Sequence, residues 1–285
     1  MFSTSTQKKE WTYTEEELRS MREKAMHAYY EKYASVLHAG EERVFYTLEE
    51  EEGMRKMTEE VALRFADKFR PAIWASVKWT AFAYFKRLFL FWSTAESSPR
   101  TTMMACFYLA MKIDEFYVTI DDFVANISVG TPEHNTTRIL GLEPEIIRML
   151  DYNLTVHCPY RPFEGHLMEM KTRMVLLTFD LESIRNDANI FFNKILLTDA
   201  LLIYNPSQIA LAAVMYGLKA QDKSTDVLQE YLMKLLGAEE DAWGGGVVPD
   251  AQASVEKLIA RLESLVLFVE DNQRKISDEE RSKLS

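Results

Sequence analysis

The sequence predicts an all-α protein: two similar helical bundles in tandem, flanked by an N-terminal and a C-terminal helix. Three observations carry this. Only 10 glycines and 8 prolines occur in 285 residues, few for a fold built on many tight turns. Apolar residues recur at helical spacing along most of the chain. One apolar segment is also repeated about a hundred residues later. With 47% apolar and 27% charged residues, the chain can build a sizeable core.

The first helix opens at TEEEL, Thr14–Leu18. Thr14 can cap it, and Glu17 three residues on completes a capping box. It is expected to run to about Leu37, with Leu18, Met21, Met26, Tyr29, Tyr30 and Tyr33 forming an apolar side. Residues 38–53 are polar and acidic and read as a connector. Met54–Phe69 is amphipathic and stops before Pro71. Ser76–Trp92 is apolar on most sides. SSPR reads as a turn that puts Pro99 at a first helical position. Thr101–Lys112 is apolar nearly all round, the mark of an enclosed central helix. Thr119–Ile127 is short. Pro132–Leu140 and Glu143–Leu150 read as successive stretches, and HCPYRPFEG, with two prolines, reads as a linker. Helical periodicity returns in Gly165–Leu177, Ile184–Tyr204, Ser207–Lys219 and Thr225–Leu236. A glycine-rich loop, DAWGGGVVPD, precedes a last amphipathic helix over residues 254–276. The expected organisation is therefore helix and connector over 1–52, first bundle 53–160, second bundle 161–240, and loop with last helix 241–285.

PRTTMMACFYLAMK, Pro99 to Lys112, aligns without gaps on PSQIALAAVMYGLK, Pro206 to Lys219. Both begin with proline and end with lysine, and Ala105 falls on Ala212. Two related bundles are the natural reading.

Several classes of chemistry find no support. The chain lacks GxxxxGK[ST], GxGxxG, HExxH and GxSxG. Its five histidines, His27, His38, His134, His157 and His166, have no ligand spacing. Asp121 and Asp122 are adjacent, so a helix points them apart, whereas a metal-dependent synthase needs several converging carboxylates. They are expected to charge the first turn of a short helix. A net charge of −11 disfavours a direct grip on nucleic acid. Cys106 and Cys158 lack metal spacing and suggest a reducing compartment. No apolar run reaches the length of a membrane span, and MFSTSTQKKEW has no secretory apolar core.

The knot of charge in LAMKIDEF, residues 109–116, is the most informative feature. A lysine at the end of a buried helix meets free carbonyls and the negative end of the helix dipole, so Lys112 has a structural reason to be there. It can also serve a partner: Glu115 and Phe116 lie three and four residues on and share its face if the helix continues.

LAMKIDEF resembles the signature at the end of the third helix of a first cyclin box. TQKKEWTYTEEEL, YFKRLFL, HCPYRPFEG with MKTR, and LLTDALLIYNPSQIAL are similar to cyclins of the H type over most of residues 6–219. The resemblance implies a fold of two cyclin boxes and a kinase-binding role with no catalytic residue, cofactor or metal. It makes Lys112 and Glu143 the charged pair that engages a cyclin-dependent kinase, with Glu145 a rival because Pro144 directly follows Glu143. Ile113, Glu115, Phe116, Ile147, Tyr152 and Leu154 fall at the same contact. Implied partners are the kinase, a RING-finger assembly factor and general transcription factor IIH, in the nucleus, with no direct nucleic-acid or membrane contact. A promoter-binding factor with paired cyclin folds is the alternative; it would need a basic face.

Overall fold

Helices rich in leucine, alanine, methionine and glutamate need little beyond a start signal and an apolar face to bury. In the computed structural model, residues 2–34, 45–174, 177, 179–236, 251–273 and 282 are described. Among them are thirteen α-helices, two short 3-10 turns and no strand. The chain forms two compact units, Met1–His157 and Cys158–Arg274.

The first unit holds α1 (Thr6–Glu10), α2 (Glu15–Ala34), α3 (Leu48–Lys68), α4 (Ala75–Leu88), α5 (Pro99–Ile113), α6 (Ile120–Ala125) and α7 (Pro132–Met149). Thr14 and Glu17 form the expected capping box at the start of α2. A second box, which the sequence reading missed, lies at Thr47 and Glu50. It starts α3 at Leu48, so residues 48–53 are helix and not connector. Helix α5 packs against α3, α4 and α7 and buries nine of its fifteen residues, Cys106 among them. Its central position matches the expectation from its all-round apolar sequence.

The interface of α3 with α4 is unexpectedly charged. Glu51, Arg55 and Glu59, spaced by four, are buried on one face of α3. Lys86 Nζ of α4 meets Glu59 Oε1 at 2.5 Å. Ser93 donates to Glu51, which also lies 3.6 Å from the Arg55 guanidinium.

Helix α7 runs unbroken through Pro144, where two stretches were expected. An interior proline removes the N–H that would meet the Leu140 carbonyl and costs about 3 kcal/mol. Here its ring points to solvent, while Ile139 and Ile146, two turns apart, are both buried. Their common burial holds the helix together across the proline.

The second unit holds α8 (Tyr160–Arg173), α9 (Arg185–Leu196), α10 (Ala200–Ile203), α11 (Pro206–Ala220), α12 (Asp226–Leu235) and α13 (Ala251–Asn272). HCPYRPFEG is thus only partly a linker. Pro162 sits in the first turn of α8, where its missing N–H has no helical partner to lose. The expected single helix 184–204 is broken. Thr198 Oγ1 donates to the Ile195 carbonyl and accepts from the Ala200 N–H, diverting the backbone between α9 and α10. Helix α11 packs on α8, α9 and α13 and is buried along ten of its residues. In α8, His166 Nδ1 lies 2.9 Å from the Tyr231 hydroxyl of α12, and burial holds its pKa below the usual histidine value. The extension of the first helix to Leu37, residues 38–44 of the connector with His38, the DAWGGGVVPD loop and residues 274–276 lie outside the described residues.

The repeat extends beyond sequence. Helices α5 and α11 begin and end at a constant offset of 107 (206 less 99, and 220 less 113). Both close in the same way. The Phe116 N–H bonds to the Met111 carbonyl at 2.8 Å and the Glu115 N–H to the Lys112 carbonyl at 3.3 Å. The Lys223 N–H bonds to the Leu218 carbonyl at 2.9 Å and the Asp222 N–H to the Lys219 carbonyl at 3.1 Å. These are Schellman ends. The left-handed position, usually glycine, holds Glu115 (φ 57°) and Asp222 (φ 53°), again 107 apart.

Two glycines give opposite expectations. A Cβ on Gly141 of α7 meets nothing within 4 Å, so Gly141→Ala should raise stability by about 0.5–1 kcal/mol in denaturant melts. A Cβ on Gly217 of α11 would lie 2.9 Å from Ile184 Cβ and 3.1 Å from its carbonyl oxygen. Gly217→Ala should therefore lower stability by about 1–3 kcal/mol in the same assay.

Candidate functional site: a charged clasp with an apolar rim

The last turn of α5 carries Lys112 out of the core. Its amine lies 4.5 Å from the centre of the Tyr108 ring, one turn back. It then reaches α7 and donates to both oxygens of Glu143, at 2.6 and 2.8 Å. The Lys112 side chain is 44% exposed and that of Glu143 16%, so the clasp presents its cationic side to solvent. Glu143 lies inside α7 and not at a helix start. Glu145, two residues on, points from another side of α7 and is exposed.

The expected continuation of α5 through Glu115 and Phe116 does not occur. The helix stops at Ile113, and the left-handed Glu115 turns the chain. Phe116 is buried edge-on against Trp74, with centroids 5.2 Å apart. It supports the surface from beneath and is not a free contact. Ile113 is exposed beside Lys112 in sequence, Glu115 is exposed, and Ile147 is half-buried one turn beyond Glu143. Leu140, one turn before Glu143, is exposed on the same side of α7.

Helix α7 also ends in a Schellman pattern. The Tyr152 N–H bonds to the Ile147 carbonyl at 3.0 Å and the Asp151 N–H to that of Arg148 at 2.9 Å. Asp151 and Tyr152 are both left-handed, φ 49° and 58°. A bulky side chain in that region is strained, and Tyr152 is 70% exposed. Neighbours hold the loop that bears it. Tyr84 donates to the carbonyl of the half-buried Leu154, and Arg87 Nη1 to the Asn153 carbonyl at 3.3 Å. Asn153 Nδ2 donates to Glu10 Oε2 at 2.8 Å, and the His157 N–H to Gln7 Oε1 at 2.6 Å. Arg87 is almost wholly buried 4.9 Å from the Trp11 ring, and burial lowers its pKa to about 10. Helices α1 and α4 are thus the scaffold beneath Tyr152.

Two exposed aromatics escaped the sequence reading: Trp74, just before α4, and Tyr117, 89% exposed. For Tyr117 the available signal was its place directly after the LAMKIDEF charge knot. Asp121 and Asp122 do lie in the first turn of a short helix, α6, which Thr119 caps. No group of three or more His, Cys, Asp or Glu side chains suited to a metal occurs among the described residues. No described helix is long and apolar enough to cross a membrane.

The family profile of the cyclin C-terminal domain matches residues 158–270. Cyclin-H of Xenopus laevis is 34% identical over 267 residues, covering 92% of this chain and 81% of the frog protein. The chain belongs to the cyclin family. Its fold is similar to that of a chain in the CAK complex of Chaetomium thermophilum bound to ATP-gamma-S. That match has a TM-score of 0.80 and 21% identity and covers 99% of this chain and 87% of that one. It is likewise similar to a chain of the yeast TFIIK complex (Kin28/Ccl1/Tfb3), with TM-score 0.70, 21% identity, and 92% and 99% covered. This cyclin is a regulatory subunit built from two cyclin-box bundles.

The Arg87 scaffold is open to test. Arg87→Met keeps the bulk but removes the donor to Asn153. The variant should fold, with hydrogen exchange at residues 152–156 faster by at least about threefold, since one hydrogen bond is worth about 1 kcal/mol.

Proposed function

We propose that this cyclin is the regulatory subunit of a CDK-activating kinase acting in RNA polymerase II transcription, and that the face around Lys112 and Glu143 receives the kinase. The observation that carries the reading is the clasp itself. Lys112 holds both oxygens of Glu143, with Ile113, Tyr117, Leu140 and Tyr152 exposed on the segments that bear the pair or directly follow them. Supporting it, the frog relative is a cyclin-H, and the two structural neighbours are a CAK complex and TFIIK.

Kinase catalysis depends on a Lys–Glu ion pair whose formation follows the position of a regulatory helix. A rigid surface that binds only the inward position of that helix shifts the kinase toward activity. Moving a kinase from mostly inactive to mostly active takes on the order of 5 kcal/mol of differential binding. An exposed charge pair supplies at most about 1 kcal/mol. Apolar burial around Ile113, Ile147, Tyr152 and Leu154 supplies most of the remainder, while Lys112 and Glu143 set orientation. The interface expected is large, above roughly 2,000 Å². The cyclin contributes no catalytic group and no cofactor. A RING-finger assembly factor completes the complex, which works in the nucleus within general transcription factor IIH. The chain itself makes no contact with nucleic acid or membrane.

The test is paired. Lys112→Ala with Glu143→Ala should leave the circular dichroism spectrum unchanged and weaken kinase co-purification by about fivefold, near the worth of one charged contact. Ile113→Ala with Tyr152→Ala should weaken it by about a hundredfold or more, as removal of central apolar anchors does. Undiminished kinase activation by both double variants would overturn the assignment.

A further inference from the structure

Proline follows a hydroxyl residue twice in this chain, at Ser98–Pro99 and at Thr131–Pro132. Each pair opens a long helix, α5 and α7. The two hydroxyls are used differently. Thr131 Oγ1 accepts from the His134 N–H at 3.3 Å, an N-cap bond. Ser98 occupies the same position on α5, yet its hydroxyl makes no cap bond and has no hydrogen-bond partner among the described residues. Ser98 is exposed. Its backbone is non-helical, φ −58° and ψ 115°, as the following proline ring favours. Residues 89–97, which lead to it, contain no helix. The second residue after Ser98 is the exposed Arg100, whereas the second residue after Thr131 is Glu133, a carboxylate among the first residues of α7.

We propose that Ser98 is a phosphoacceptor for a proline-directed serine/threonine kinase and that Thr131 is not. A kinase cleft takes an accessible hydroxyl that no other bond holds. Ser98 offers one, while Thr131 would first have to surrender its cap bond. In the step, Ser98 Oγ attacks the γ-phosphorus of ATP and the bond from that phosphorus to the departing ADP oxygen breaks. The hydroxyl proton passes to the carboxylate base of the modifying kinase.

The product is a dianion. It would stand at the start of α5, where the helix carries no acid in its first turn and Arg100 offers a cation. Lys32, which lies 3.7 Å from Glu96, is a second cation nearby, and Glu96 itself is the opposing charge. Ser98 and Lys112 are fourteen positions apart (112 less 98), about 21 Å at helical rise. The acceptor therefore lies at the opposite end of α5 from the clasp, and the inference stands apart from the proposed function.

The experiment uses the purified full chain with magnesium ATP and an active proline-directed kinase, such as a mitogen-activated protein kinase. A control peptide of sequence Ser-Pro-x-Arg runs alongside, and sites are mapped by mass spectrometry after digestion. Phosphate is expected on Ser98 at no less than tenfold the level on Thr131. Ser98→Ala should abolish it. Pro99→Ala, shown by circular dichroism to be folded, should lower it by at least tenfold with the hydroxyl still present. An unmodified Ser98 while the control peptide is consumed would overturn the proposal. So would equal modification of Thr131, or a Pro99→Ala chain modified like the parent.

Discussion

A helix without a polar side has to be enclosed, and α5 is such a helix. Because Met103, Cys106, Phe107, Ala110 and Met111 all exclude water, α3, α4 and α7 must close round it. Apolar burial of this kind is worth about 25 cal/mol per Å², and it leaves few arrangements open. The enclosure ends where the helix ends, so Lys112 emerges there, beside whatever α7 presents. It presents Glu143. The clasp thus has a reason in packing that precedes its proposed binding role, and the structural and functional readings of Lys112 describe the same atoms.

Charge inside the first unit works in another way. Glu51, Arg55, Glu59 and Lys86 lie between α3 and α4, and Arg87 lies under α1. Removing such groups from water is costly, and close pairing roughly offsets the cost. Their effect is better seen as selection of one arrangement: a shifted α3 would strand Glu59 without Lys86. Arg87 has the same part for the N-terminal segment, because its ring contact with Trp11 and its bond to Asn153 are made from one side chain. Rigidity at Tyr152 follows from residues some seventy positions earlier.

Much of this was legible in the sequence where one physical effect dominates. Helix α5 and its repeat α11 are written in unbroken apolar spacing, Thr14 with Glu17 in capping chemistry, and Pro99 in the tolerance of a first helical position. The misreadings occur where two effects compete. Thr47 and Glu50 start a helix inside a stretch whose acidity suggested a connector. Pro144 reads as a boundary until the burial of Ile139 and Ile146 outweighs it. Thr198 breaks a helix that its apolar neighbours would continue. Lys86 and Arg87 interrupt an apolar run, yet partners in distant segments bury both. Phe116 was assigned to the binding face because the extended helix would put it there; the left-handed turn at Glu115 sends it inward to Trp74. Only tertiary contacts decide such cases.

The matched closures of α5 and α11 carry an implication for ancestry and for engineering. Glu115 and Asp222 keep the same uncommon backbone angle, while their surroundings have drifted from Ile113 and Phe116 in one copy to Ala220 and Lys223 in the other. Backbone geometry is shared where side-chain identity is not. The two stretches are therefore interchangeable parts of equal length and closing geometry, and what differs between them is a handful of positions just past the lysine.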